Sequence, residues 1–336
     1  MYYVESAAVG HYEKVHPECP DRVLRVYPYL KANGLTKNLI ELSPRAATTE
    51  QLQKFHTISH VRQVDEDKKN KWNSVYVTPK ATAAAARLAA GAATLVTSVV
   101  YADKNKEATG IVVTRPPGHH ASRDNASGFC LFNNVAVAVA NLPPEARVCV
   151  LDMDIHSGSD GDHPNALYDS DRVLTIDIHK YMHGTFFPGG KSGHPSMIGE
   201  GAGVGHNVNI AWNHHDPNDV DYNYAFQALV IPLMSLFKPD IVVVSAGMDC
   251  VEGDPLGNGA SVTPEMYASL LQLVRSKVCA KMVVVLEGGY DCDNICRTFK
   301  HILSKFKENE QITTIKFSVL PSQAAQNAVA DTLSYL

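Results

Sequence analysis

Two aspartates and a histidine alternate in VLDMDIH as Asp152, Asp154 and His156. At a strand end, a period of two turns all three side chains to one side. Two carboxylates there are costly to bury unless a cation offsets them, and the adjacent imidazole completes a nitrogen and oxygen donor set suited to zinc. Asp249, in SAGMDCVEGDP, follows a second apolar run and can supply a third ligand. Three protein ligands leave one position open for water or substrate, as a catalytic zinc site requires. Ion pairs at a sheet edge are the competing reading, and Asp254, before Pro255, reads as a turn or capping residue.

Other groups fit around such a centre. His119 and His120 adjoin in RPPGHH, and imidazole titrates near neutral pH, so the pair suits base and acid steps. Tyr290 in LEGGYD follows two glycines that permit a tight turn, and its phenol can donate to a developing oxyanion. Taken alone, a tyrosine after Gly-Gly more often packs. Gly128 and Phe129 in SGFC, with Phe187 in FFPGG, fall on loops at the same edge, where an apolar channel would fit the methylene stem of an acylated lysine. Packing is the alternative for each ring.

Short β-branched runs at Ile111–Thr114, Val148–Asp154, Val173–Ile178, Ile241–Ala246 and Met282–Leu286 read as buried strands. Helical stretches lie at Ala81–Tyr101, Leu131–Ala140, Tyr222–Phe237, Pro264–Ser276 and Asp293–Phe306. The alternation predicts an α/β fold, a central, mostly parallel sheet flanked by helices, as one domain over residues 1–336. RPPGHH, DIHSG, HKY, MDCVEGDP and EGGYD each follow a strand, so they converge at the carboxyl ends, where open α/β sheets bind ligands. Gly184–Gly205 reads as a functional loop, and the tail after Lys307 as the least constrained segment.

The 336 residues are 45% apolar and carry a formal charge of −5, with a pI near 6.3. That balance argues against a broad nucleic-acid-binding surface. No apolar run approaches the roughly 20 residues of a membrane span, and MYYVESAAVG lacks a signal peptide's basic and apolar regions, so an intracellular protein of cytoplasm or nucleus is expected. The seven cysteines show no CxxC pair and read as reduced thiols, Cys292 and Cys296 included. KKNK at 68–71 reads as a solvated loop rather than an import signal.

HPECPDR at 16–22, RPPGHHA at 115–121, GFCLFNN at 128–134, DMDIH at 152–156, HKY and FFPGG at 179–190, SAGMD with EGDPLG at 245–257 and EGGY at 287–290 together resemble the zinc-dependent histone deacetylases of the arginase-like fold. EGGY and the HKY to FFPGG spacing are similar to class II. The resemblance implies zinc on Asp154, His156 and Asp249, His119 and His120 as the catalytic pair, Tyr290 as transition-state donor and Asp152 as partner of the first histidine. It implies an acyl-lysine tunnel walled by Phe129 and Phe187. Structural potassium is implied at an inner site of Asp152, Asp154, His156, Asp177 and Ile178, and at an outer one of Leu167, Ser170 and Val173. The implied partners are acetylated lysines of histones or other proteins, and corepressors.

Departures from the family pattern are specific. Asp177 stands where serine is usual, an extra carboxylate expected to make the inner cation site more anionic. HSGSDG replaces HHGNG, putting Ser157 at a histidine position and Ser159 where Asn or Asp would support His120, which predicts an active enzyme with altered tuning. Leu256 replaces the acidic gatekeeper of polyamine deacetylases, favouring acyl-lysine over a cationic polyamine. Asn73 stands where relatives use an acidic residue to grip substrate backbone. A deacetylase of polyamines or small molecules, a two-metal manganese hydrolase, and a weakly active acetyl-lysine-binding scaffold are the competing readings.

Overall fold

Runs of valine and isoleucine with no polar interruption can only be buried on both faces, and eight strands here pair side by side in one parallel sheet. The computed structural model describes residues 1–6, 8–66, 74–159, 167–214, 216–309 and 311–336. The strands are β1 (Tyr2–Ser6), β2 (Ile40–Glu41), β3 (Thr109–Thr114), β4 (Val148–Asp152), β5 (Val173–Lys180), β6 (Asn207–Trp212), β7 (Ile241–Ala246) and β8 (Met282–Leu286), in the order β2-β1-β3-β8-β7-β4-β5-β6. The four central strands, β3, β8, β7 and β4, therefore deliver RPPGHH, EGGYD, SAGMD and DMDIH to one edge from adjacent positions.

Alternate residues feed two apolar layers. Ile111, Leu151, Ile176 and Val244 face a layer containing Trp212, Phe226, Leu270 and Phe299, whereas Val112, Val150, Val243 and Val285 meet Ala92, Val96 and Val139 on the other face. All five expected strands and five expected helical stretches form, with shifted ends. The run expected at 131–140 is helical from Asn134, because Asn133 turns out of the helix and caps it, its Oδ1 accepting the Ala136 N–H at 2.9 Å. The stretch expected at 222–237 is continuous from Asp219, with a π turn at Phe226–Val230.

Two expectations need correction. Thr82–Ala102 is a 21-residue helix with mean hydropathy 1.5, long and apolar enough to cross a membrane by length and composition, yet 61% of that stretch is buried against β1, β3 and Asn134–Ala140. Its alanines let it lie close to the sheet. The tail after Lys307 is not loose throughout: Gln323–Leu333 is a helix that covers β6, with Ala325 and Val329 in the core and Thr332 Oγ1 donating to Asn209 O at 2.8 Å. KKNK lies outside the described residues. The cysteines are free thiols.

Two buried histidines brace the loops that lead to the site. His56 accepts the Asn133 N–H on Nε2 at 2.9 Å, and His11 meets Thr82 Oγ1 at 2.9 Å. Burial pushes His56 down to about 3 and His11 to about 4, from an ordinary value of 6.5. Between those values and 6.5 these two histidines bind more protons in the unfolded chain than in the folded one, so their titration favours unfolding in acid. The contribution of these two histidines to stability is therefore full above about pH 6.5 and falls below it by roughly 1.4 kcal/mol per pH unit for each. Urea unfolding of the wild type and of His11→Gln and His56→Gln at pH 7.5, 6 and 5 measures this: each variant should lose less stability on acidification than the wild type, and an identical slope contradicts it.

Candidate active site

The ends of β4 and β7 bring Asp154, His156 and Asp249 together, one donor atom of each lying within 4.8 Å of the others. His156 Nδ1 faces Asp154 Oδ1 and Asp249 Oδ2, both at 3.1 Å. The remaining oxygens are held by main chain: Asp154 Oδ2 accepts from Gly288 N and Asp249 Oδ1 from Ile155 N, each at 2.9 Å. Donors about 2.0–2.1 Å from a tetrahedral ion sit roughly 3.3 Å apart, so the three converging atoms fit zinc. A Cβ on Gly288 would lie 2.4 Å from an oxygen of each carboxylate, so only glycine allows this approach. Burial raises Asp249 to about 7. Burial opposes a charged His156, but bonds to the two aspartates prevail and raise it to about 9, so a proton occupies the place a metal would take.

A second trio, His119, Cys130 and Glu287, also converges. Burial pushes the Cys130 thiol far up, and Glu287 Oε2 already accepts the N–H groups of Gly118 at 2.6 Å and His119 at 3.0 Å. A protonated thiol is a poor ligand.

The tandem histidines are differentiated by their neighbours. His119 Nδ1 lies 3.1 Å from Asp152 Oδ2, and its Nε2 3.6 Å from Asp154 Oδ2. Burial opposes its charge, but Asp154 and Asp152 outweigh that and raise it well above the usual range. His120 is held well below it, by burial and by the charges of His119 and His156. His120 Nδ1 donates to Ser159 O at 2.8 Å, leaving Nε2 as the acceptor. The expected support from a side chain at position 159 thus comes from the main chain, which any residue there supplies.

Tyr290, Gly128, Phe129, Phe187 and Leu256 line a cavity of about 190 Å³ with His120, His156 and Ser74. Burial keeps Tyr290 protonated and able to donate. Three further groups were absent from the sequence reading of the site. Phe186 stacks on His156, centroids 5.0 Å apart. Asp254 makes the expected turn contact to Leu256 N at 2.9 Å but also accepts from Tyr290 N at 2.6 Å, tying the two cavity loops together. Arg22, paired with buried Glu18, donates to Gly289 O at 2.6 Å and lies over the Tyr290 ring. HPECPDR and EGGY contained these residues, but nothing in either motif tells that they meet.

Asp177, the extra carboxylate, has neighbours on both oxygens. Its Oδ2 accepts Gly158 N at 2.9 Å, and its Oδ1 lies 2.8 Å from Nδ1 of buried His179, whose Nε2 meets Gly193 O at 2.9 Å. Burial opposes a charged His179, but the Asp177 carboxylate beside its Nδ1 raises the ring's affinity for a proton. Ser157 Oγ contacts Asp177 at 3.3 Å. Ile178 is buried beside this pair, whereas Leu167 and Ser170 precede β5, which Val173 opens, with Ser170 N bonded to Leu167 O at 3.1 Å. Asn73 lies outside the described residues.

A parallel α/β sheet that brings Asp154, His156 and Asp249 together with a histidine pair and a phenol at its carboxyl edge presents the residue types of a metal-dependent hydrolase site. Residues 16–306 match the histone deacetylase domain, and the chain belongs to that family. It is 35% identical over 327 residues to histone deacetylase HDA1 of Saccharomyces cerevisiae, covering 89% of this chain and 46% of that protein. Histone deacetylase 18 of Arabidopsis thaliana is 36% identical over 316 residues, covering 89% and 46%. The chain thus spans about half the length of these relatives. The crystal structure of the HDA15 HD domain superposes with a TM-score of 0.88 at 32% identity, covering 100% of this chain and 95% of that one.

Gly288→Ala should displace both ligand carboxylates and weaken zinc binding by about 10–100-fold, in the range of lost supporting contacts at metal sites. Competition with a chromogenic chelator measures it, and wild-type affinity would contradict the cradle.

Proposed function

We propose that this chain is a zinc-dependent lysine deacetylase acting on acetylated histones or other proteins. The observation that carries this reading is the cavity of about 190 Å³, with aromatic sides at Phe129 and Phe187 and His156, His120 and Tyr290 in its lining. It suits an uncharged acyl-lysine stem. Asp154, His156 and Asp249 would hold zinc, which supplies Lewis acidity toward the acyl carbonyl and the attacking water. His120, neutral with Nε2 free, accepts the water's proton. His119, charged beside Asp152, stabilises the developing anion, and Tyr290 donates to the oxyanion. His120 then returns its proton to the lysine amine as the C–N bond breaks.

Structural potassium is part of the proposal. The inner ion would sit by Asp152, Asp154, His156, Asp177 and Ile178, with His179 beside the Asp177 carboxylate. The outer ion would use Leu167, Ser170 and Val173. One catalytic domain over 1–336, an intracellular location in cytoplasm or nucleus, and corepressor partners complete the reading.

Tyr290→Phe should lower kcat by about 10²–10³-fold, the worth of one oxyanion donor, while KM changes little. A kcat within threefold of wild type removes Tyr290 from the mechanism. Leu256 presents no charge to a second ammonium, so the zinc-loaded protein should turn over acetyl-lysine and trifluoroacetyl-lysine peptides but hardly acetylpolyamine. Turnover of acetylpolyamine alone overturns the substrate class, and binding of the peptides without turnover would instead mark a scaffold.

A further inference from the structure

We propose that His183 and His214 form a second, surface site for a divalent transition-metal ion of the copper or nickel kind. Their Nε2 atoms lie 3.0 Å apart, with ring centroids separated by 4.4 Å, and both residues are exposed. Two imidazole nitrogens about 2.0–2.1 Å from a common ion and 3.0 Å apart subtend about 95° at it. That angle suits neighbouring positions of a tetragonal or octahedral ion better than the wider tetrahedral one, and tetragonal nitrogen sites select Cu2+ or Ni2+. No residue is shared with the Asp154, His156 and Asp249 centre, and the proposal stands whether or not the deacetylase reading does.

The rings are held in place by the backbone beneath them. His183 follows β5 and His214 follows β6, neighbouring parallel strands in which Lys180 pairs with Trp212. Met182 and His183 adopt left-handed φ values of 48° and 56°, costly for residues with a Cβ, and this turn aims His183 across at the β6 turn. The His183 N–H donates to Oδ1 of Asn213, the residue before His214, at 2.8 Å. The Lys180 ammonium on the same pair of strands bonds Asp216 Oδ1 at 2.5 Å and Asn258 O at 2.6 Å, so its charge is matched by a carboxylate instead of being left to repel a cation. A bond from one neutral ring to the other would need opposite tautomers, whereas an ion accepts the lone pair of each.

Copper is added to the full, zinc-loaded chain and followed by electron paramagnetic resonance, with zinc content measured afterwards, and nickel is titrated calorimetrically. One equivalent of copper should bind beyond retained zinc, with superhyperfine splitting from two imidazole nitrogens. His183→Gln and His214→Gln should each weaken both metals by roughly 10–100-fold or more, since losing a ligand costs at least as much as losing a supporting contact. His215→Gln should leave binding as in the wild type. Copper that enters only as zinc leaves, affinity unchanged in the His183 and His214 variants, or loss confined to the His215 variant overturns the proposal.

Discussion

The arrangement of the molecule follows from one electrostatic constraint, two buried carboxylates, Asp154 and Asp249, facing the same point. Both are fully buried, and neighbouring unit charges about 4 Å apart repel by roughly 4 kcal/mol at an effective dielectric constant of 20. Only a cation at their meeting point makes the pair tolerable. In the absence of metal, a proton on His156 Nδ1 fills that role, and a divalent ion does so with more charge and a defined geometry. Sheet order meets the same constraint, since β4 and β7 must be neighbours for the carboxylates to meet, and β3 and β8 must follow for His119 and Tyr290 to reach them.

Around this point several other buried charges are paired. Asp152 faces His119, Asp177 faces His179, and Glu18 is held by Arg22 and by Arg115, the latter through Nε at 2.7 Å. Each pairing also does geometric work. His119 is kept charged next to a neutral His120, and Arg22 reaches from the amino-terminal motif to the glycine loop that carries Tyr290. Two adjacent histidines thereby take opposite protonation states, His119 charged by the carboxylates it faces and His120 kept neutral by burial and by the charges of His119 and His156, a division of labour suited to acid and base steps.

Strands β3, β4, β5, β7 and β8 were legible because their β-branched runs are unbroken. β6 was not, because Asn207 and Asn209 interrupt its pattern, and they are tolerated only since their amides donate to carbonyls of the preceding loop, to Met197 O at 2.5 Å and to His194 O at 3.2 Å. The helix at 323–333 depends on that strand for its burial, so local sequence did not announce it. Within the site, alternation announced Asp152, Asp154 and His156. The same period of two links Asp177 to His179 in β5, and following it would have shown that the extra carboxylate has a partner. The Ser159 contact was illegible for a different reason, being made by a carbonyl that no residue type reveals. In FFPGG the sequence shows two rings but not that Phe186 stacks on His156 while Phe187 lines the cavity.

X-ray absorption at the zinc edge of the stoichiometrically loaded protein tests the central claim most directly. The account predicts one zinc with only nitrogen and oxygen neighbours at about 2.0–2.1 Å, including a single imidazole. A sulfur neighbour at about 2.3 Å would place the ion instead on the trio containing Cys130 and contradict it.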